Sequence, residues 1–185
     1  SENKGIFDLL MALKIIKRSI KDISLCVIGS ASKYVIEDIK RTATNLDISN
    51  NIVWIGYLPT LEEVHIEASK ARISVLPTHW DVIPGTIIES MQLGLPVVSY
   101  KAGSIPELNE DRENVLLSEI GDIEGLAQNI IRLLTDGDLY NTMRERGIDC
   151  IKNRYNNKNV FQQHINCYRD VIEDFCQSTG NICKQ

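Results

Sequence analysis

The sequence predicts an α/β fold, a doubly wound parallel sheet of Rossmann-like type. Helical and strand periodicities alternate almost throughout its 185 residues. The strand-like runs are short, apolar and rich in β-branched residues, as strands covered on both faces are. Single helix-length segments separate them, which is the pattern of parallel strands joined by right-handed crossovers. No internal repeat or low-complexity segment interrupts the alternation.

Taken in order, Ile6, Leu9, Leu10, Leu13 and Ile16 recur at helical spacing and predict an amphipathic helix over about 5–18. The run from Ser24 to Ile28, stopped by Gly29, reads as a buried strand, and a helix over about 33–46 follows. Ile52 to Ile55 is the second strand, ended by Gly56. Thr60-Leu61-Glu62-Glu63 has the form of a capping box, so the next helix starts there and runs to about Ser69. Arg72 to Leu76 is the third strand, broken by Pro77. A helix over 86–93 ends at Gly94 as its C-terminal cap. Pro96 to Ser99 and Asn114 to Leu117 are the fourth and fifth strands. Helices over about 123–135 and 138–150 are divided by Asp136-Gly137, and a last helix over about 157–176 carries Val160, Ile165, Tyr168, Ile172 and Phe175 on one side.

Composition narrows the function classes. Hydrophobic residues make up 43% and charged residues 24%, ordinary values for a globular domain. The formal charge of −5 argues against nucleic acid as a partner. No apolar run approaches the length of a membrane span. The opening Ser1-Glu2-Asn3-Lys4-Gly5 has no signal-peptide character and leads almost directly into a helix, as though cut from a longer chain. The five cysteines, Cys26, Cys150, Cys167, Cys176 and Cys183, form no C-x-x-C pair and read as reduced thiols of a cytoplasmic protein. Arg144, Arg146, Lys152 and Arg154 make either a wet surface or a patch for the inner face of a membrane.

In a sheet of this kind, ligands bind where loops leave the carboxyl ends of the strands. Those loops are Gly29-Ser30, Gly56-Tyr57-Leu58, Pro77 to Gly85 and Tyr100 to Pro106. Loops that feed helix N-termini favour an anion, so the expected ligand contains phosphate. In the longest of them Asp81 is followed, after seven intervening residues, by Glu89 on the next helix. Carboxylates so placed suit a polyol, because a carboxylate can accept hydrogen bonds from two adjacent hydroxyls. Pro84-Gly85 between them brings bare backbone close to whatever lies over the helix start. Thr86-x-x-Glu89 is equally a capping-box pattern, and a loop aspartate can bond its own backbone.

The segment resembles the carboxylate-x7-Glu motif of the family-four retaining glycosyltransferases, enzymes of the two-domain GT-B fold. In that family Gly-x-Pro-Val-Val and a Gly-Gly-x-x-Glu loop follow; here stand Gly94-Leu95-Pro96-Val97-Val98 and Gly103-Ser104-Ile105-Pro106-Glu107. Lys4-Gly5, Val53-x-Ile55-Gly56, Leu76-Pro77-Thr78, and Asn114-Val115-Leu116-Leu117 with Gly121-Asp122 resemble further family segments, in the same order. The resemblance spans about 4–150 and is densest over 72–122.

It implies a donor-binding domain over 1–155, the C-terminal half of a GT-B enzyme, with a helix over 156–176, a flexible tail over 177–185 and the N-terminal acceptor domain absent. It implies transfer of a hexose from a nucleotide diphosphosugar to an acceptor hydroxyl, with retention, in polysaccharide or glycan biosynthesis. Lys4 would pair with the diphosphate, Glu89 would hold the ribose, and Asp81 would lie near the donor sugar. The family's usual residue at the position of Asp81 is Glu. Backbone at Ile83, Gly85 and Thr86 would face sugar and phosphate, Gly29, Ser30, Gly56 and Tyr57 would border the base, and Ser104 would stand near the diphosphate. Gly29 and Gly56 would serve equally as strand terminators, and Ser104 as an N-cap paired with Glu107. His79 and Trp80 stand beside Asp81, within reach of sugar or partner domain, while His65 and His164 read as solvated or packed helix residues. With no Asp-x-Asp cluster, no metal cofactor is expected. Two other readings of the chain are a nucleotide-sugar epimerase of the same architecture and a non-catalytic nucleotide-sugar-binding module. A dinucleotide-binding dehydrogenase is disfavoured, because Gly29-Ser30-Ala31-Ser32 replaces the G-x-G-x-x-G that fold requires.

Overall fold

The computed structural model describes residues 4–82, 84–155 and 157–179. Chain contacts divide it into two units, Ser1–Ile148 and Asp149–Gln185.

The first unit alternates helix and strand as its periodicities require. α1 (Ile6–Ser19) leads to β1 (Leu25–Ile28), α2 (Lys33–Asn45), β2 (Ile52–Gly56) and α3 (Leu61–Ala68). β3 (Ser74–Leu76), α4 (Gly85–Gln92), β4 (Val97–Tyr100), β5 (Leu116–Ser118) and α5 (Ile123–Thr135) follow, and α6 (Gly137–Arg154) runs on into the second unit. Local chemistry places the helix ends. The Thr60 capping box forms in full: the Glu63 amide donates to Thr60 Oγ1 at 3.2 Å, and the Thr60 amide donates to the Glu63 carboxylate at 3.0 Å. At the end of α4, Gly94 and Leu95 donate to the carbonyls of Met91 and Ser90, the paired bonds of a glycine-terminated helix.

All strand pairs are parallel, as the pattern predicts, but they pair in two sets. β1 pairs with β2, and β4 lies between β3 and β5. Packing rather than a ladder joins the sets. One side of α1 (Leu10, Leu13) enters a cluster with Ile39, Ala43, Ile48 and Ile52 from the α2–β2 region. The other (Leu9, Ala12, Ile16) packs with Val98, Tyr100 and Leu116 of the central strands and Leu126, Ile130 and Leu133 of α5. Ile23 and Leu25 pack against both clusters. Leu10 is fully buried, and burial of such a side chain contributes about 1.5–3 kcal/mol.

The fifth strand begins two residues later than the sequence pattern indicates. Asn114 is buried and ties a turn instead: its amide nitrogen donates to the Leu108 carbonyl at 2.6 Å, and its backbone N–H donates to Asn109 Oδ1 at 2.8 Å. On α6, Arg146 donates to the Glu113 carbonyl at 3.2 Å and Arg144 packs over Gly94, so these two basic side chains are engaged with the body of the unit.

The second unit contains the end of α6 and α7 (Asn157–Thr179). Tyr168, Ile172 and Phe175 of the α7 stripe are exposed. Cys26, Cys150 and Cys167 are free thiols, whereas Cys176 is disulfide-bonded. The reading of uniformly reduced cysteines is corrected there, because a disulfide needs only Cα atoms within about 7 Å, which spacing in sequence does not reveal. Among the described residues no helix is long and apolar enough to cross a membrane.

Candidate functional site

Two glycines bring the sequence-distant parts of the site together. Gly5 caps α1 in the left-handed conformation, φ 68°, and a Cβ there would stand 1.8 Å from the Pro77 carbonyl oxygen. Gly103, φ 52°, lies against the Asp81 carbonyl, where a Cβ would stand 1.7 Å away. The Ser104 amide also donates to the Val82 carbonyl at 3.1 Å. The start of α1, the loop after β3 and the loop after β4 therefore pack backbone against backbone, an approach that only glycine allows.

That packing delivers Lys4 to Asp81, and the two form an ion pair. The second Asp81 oxygen accepts from the Val82 amide at 3.0 Å, the self-bonded loop aspartate that the sequence also allowed. Trp80 and Val82 flank it, 74% and 66% exposed. Beside this pair Asp8, in the first turn of α1, faces His79 Nε2 at 2.8 Å and accepts from the Tyr100 hydroxyl at 3.0 Å. The rings of His79 and Tyr100 are 5.8 Å apart. Burial, and then the hydrogen bond and the charge of Asp8, push the Tyr100 phenol well above its ordinary range.

At the other end of the loop α4 opens on Gly85, with Pro84 as its N-cap and no side-chain cap. The Thr86–Glu89 capping box does not form. Ile87 and Met91 enter the core, which turns Glu89 to the opposite, outer side, where its side chain is 37% exposed. One Glu89 oxygen lies 3.8 Å from where a Gly85 Cβ would stand, and the other lies 3.6 Å from His65 Nε2 on α3. Gly85 and Thr86 are exposed at the helix start, where the first amides have no acceptor within the helix. Ile83 lies outside the described residues. Ser104 caps the short 3₁₀ turn 105–109 through its carbonyl, which accepts from Glu107 at 3.0 Å; its hydroxyl makes no capping bond.

Gly29, Ser30, Gly56 and Tyr57 form a second group, at the ends of β1 and β2. The Gly29 amide donates to the Gly56 carbonyl at 2.8 Å, and both residues have positive φ, 129° and 79°. A Cβ at either would meet nothing within 4 Å, so it is backbone geometry and not crowding that requires glycine. Ser30 is exposed and Tyr57 is 70% exposed.

Three residues join the site that the sequence pattern does not single out: Asp8, Tyr100 and His65. Asp8 carries no motif, and Tyr100 stands only as the first residue of the loop Tyr100 to Pro106 that follows the fourth strand. His65 reads as solvated or packed, yet its ring nitrogen faces the Glu89 carboxylate.

The geometry has counterparts in known proteins. N-acetyl-alpha-D-glucosaminyl L-malate synthase of Bacillus anthracis is 24% identical over 171 residues, 92% of this chain and 43% of that protein. The amylovoran biosynthesis glycosyltransferase AmsK of Erwinia amylovora is 29% identical over 139 residues, 72% of this chain and 33% of that protein. The chain thus spans less than half the length of these curated relatives. Among solved structures, the C-terminal domain of the group 1 glycosyl transferase LpcC from Francisella tularensis superposes with TM-score 0.77 at 22% identity, covering 85% of this chain and 82% of that one. Anabaena HepE in complex with UDP superposes with TM-score 0.80 at 21% identity, covering 92% and 46%. These likenesses show the fold, that of a C-terminal GT-B domain. The model of the glycosyl transferases group 1 family matches residues 1–149, and the chain belongs to that family.

Proposed function

We propose that this chain is the donor-binding half of a glycosyltransferase, which transfers a hexose from a nucleoside diphosphosugar to an acceptor hydroxyl with retention. The acceptor is held by a part of the enzyme outside this chain. The observation that carries the reading is the β3–α4 loop, with an outward carboxylate, Glu89, at one end and the Lys4–Asp81 pair at the other. Between them stand the exposed Gly85 and the first amides of α4.

In this reading Glu89 accepts from the two ribose hydroxyls and Lys4 exchanges Asp81 for the diphosphate. Asp81, once released, accepts from donor-sugar hydroxyls. Transfer breaks the bond from the anomeric carbon to the diphosphate oxygen and forms one to the acceptor oxygen, whose proton passes to the departing diphosphate. Negative charge grows on the departing diphosphate, and Lys4 with the Gly85 and Thr86 amides is placed to stabilise it. Gly29, Ser30, Gly56 and Tyr57 border the base, and Ser104 offers its hydroxyl beside the diphosphate. HepE has been solved with UDP and with UDP-glucose, which makes uridine diphosphate the first probe. The relatives include enzymes of capsular polysaccharide and lipopolysaccharide core biosynthesis, the setting we propose.

Calorimetric titration with UDP, GDP and ADP tests the site. Glu89→Ala is expected to weaken the preferred diphosphate about tenfold or more, and the free nucleoside with it, because two hydrogen bonds to a charged group are lost. Lys4→Ala is expected to weaken the diphosphate and leave the nucleoside nearly unchanged. Titrations untouched by both substitutions would place the site elsewhere.

A further inference from the structure

Glu89 has a neighbour whose position is hard to explain by packing alone. His65 lies on α3, on the far side of β3 in sequence, and its Nε2 is shielded from solvent and without a hydrogen-bond partner among the described residues. A buried polar nitrogen left unpaired costs stability, typically about 1–3 kcal/mol. The group nearest to relieving it is Glu89 Oε2 at 3.6 Å, just beyond hydrogen-bond range. The other Glu89 oxygen points back towards Gly85, over the head of α4.

From this geometry we infer that His65 is a positioning residue for the ribose: Nε2–H donates to Glu89 and fixes the carboxylate plane for the two sugar hydroxyls. A carboxylate facing Nε2 selects the tautomer that carries its proton there. Closing 3.6 Å to a hydrogen bond needs only a small side-chain rotation, which ligand binding supplies by drawing Glu89 into one rotamer. A carboxylate offers about four lone-pair directions, so one can serve His65 while others accept from the ribose. The Asp81 end of the loop has no part in this, since its partners are Lys4 and the Val82 amide. The inference rests on the ribose role proposed for Glu89 and goes beyond it by assigning how that carboxylate is oriented.

The test separates the two. Using the full-length protein, UDP, GDP and ADP are titrated to find the tightest binder, and its 2′,3′-dideoxy analogue is titrated beside it. The wild type is expected to prefer the ribonucleotide. Glu89→Ala is expected to abolish that preference. His65→Phe should weaken the ribonucleotide about three- to tenfold, the range of one hydrogen bond, and leave the dideoxy analogue unchanged. His65→Gln, whose amide nitrogen can occupy the place of Nε2, should restore most of the loss, which a purely steric role would not predict. If His65→Phe weakens both ligands equally, or neither, or if Gln fails to rescue, the inference is overturned while the Glu89 reading stands. If Glu89→Ala keeps the ribose preference, the Glu89 reading falls and the inference falls with it.

Discussion

Glycines around the β3–α4 loop are present for different reasons, and the difference is measurable. Gly103 has positive φ, and its missing Cβ makes room for the Asp81 carbonyl; Gly5 does the same for Pro77. Gly85 has ordinary helical backbone and space around it, its nearest neighbour to a built Cβ being Glu89 at 3.8 Å. We expect Gly103→Ala to lower unfolding free energy by about 2–4 kcal/mol, the sum of left-handed strain and backbone displacement. Gly85→Ala should leave it unchanged or raise it by about 0.5–1 kcal/mol, since alanine is the better helix former. Yet in the proposed donor site the added methyl would crowd the sugar and diphosphate, so Gly85→Ala should weaken nucleoside diphosphate binding. Urea unfolding and calorimetry on the same two proteins check both signs; a destabilised Gly85→Ala with normal binding would contradict the account. The sequence displays all these glycines alike. What distinguishes them is a contact across 22 to 72 residues of chain, which no local pattern carries.

At the scale of elements, the sequence was most readable where the determining chemistry is local. The Thr60 capping box, the Gly94 helix stop and the α1 stripe all lie within a few residues and were legible. The split of the strands into two sets was not, because it depends on which strand edges meet, and neither was the link between α1 and β4. That link is Asp8, which joins the first turn of α1 to the loop through His79 and to the end of β4 through Tyr100. The Tyr100 phenol has its folded-state pKa raised above the ordinary 10.0, first by burial. The unfolded chain therefore releases this proton at lower pH than the folded one does. The stabilisation is complete below about pH 10 and declines as pH rises beyond it towards the folded value. Tyr100→Phe, which cannot titrate, should show a shallower alkaline loss of stability than the wild type between pH 9.5 and 11 in denaturant melts taken at several pH values. Parallel curves for the two proteins would show that Tyr100 retains no proton advantage on folding.

For the molecule as a whole, the boundary between binding and catalysis follows from which groups the chain contains. Ribose, diphosphate and donor sugar are each assigned a group within the proposed donor domain, 1–155, while nothing in the chain is assigned to the acceptor. Donor affinity depends on contacts to the donor alone. Transfer depends also on an acceptor oxygen held against the anomeric carbon and on exclusion of water, effects that contribute rate factors of many powers of ten when both reactants are fixed. We therefore expect this chain alone to bind UDP or another preferred nucleoside diphosphate within about tenfold of the affinity of the longer protein. Its transfer from a radiolabelled nucleoside diphosphosugar should be slower by about a thousandfold or more. Release of free sugar by water should also stay low, because in the proposed reading Lys4 and the α4 amides would stabilise the leaving group without supplying a positioned nucleophile. The measurement is product formation by thin-layer separation, with and without the remainder of the enzyme. Turnover by the chain alone at a rate near that of the longer protein would mean that the acceptor site lies within these 185 residues, and the division of labour proposed for the two halves would have to be redrawn.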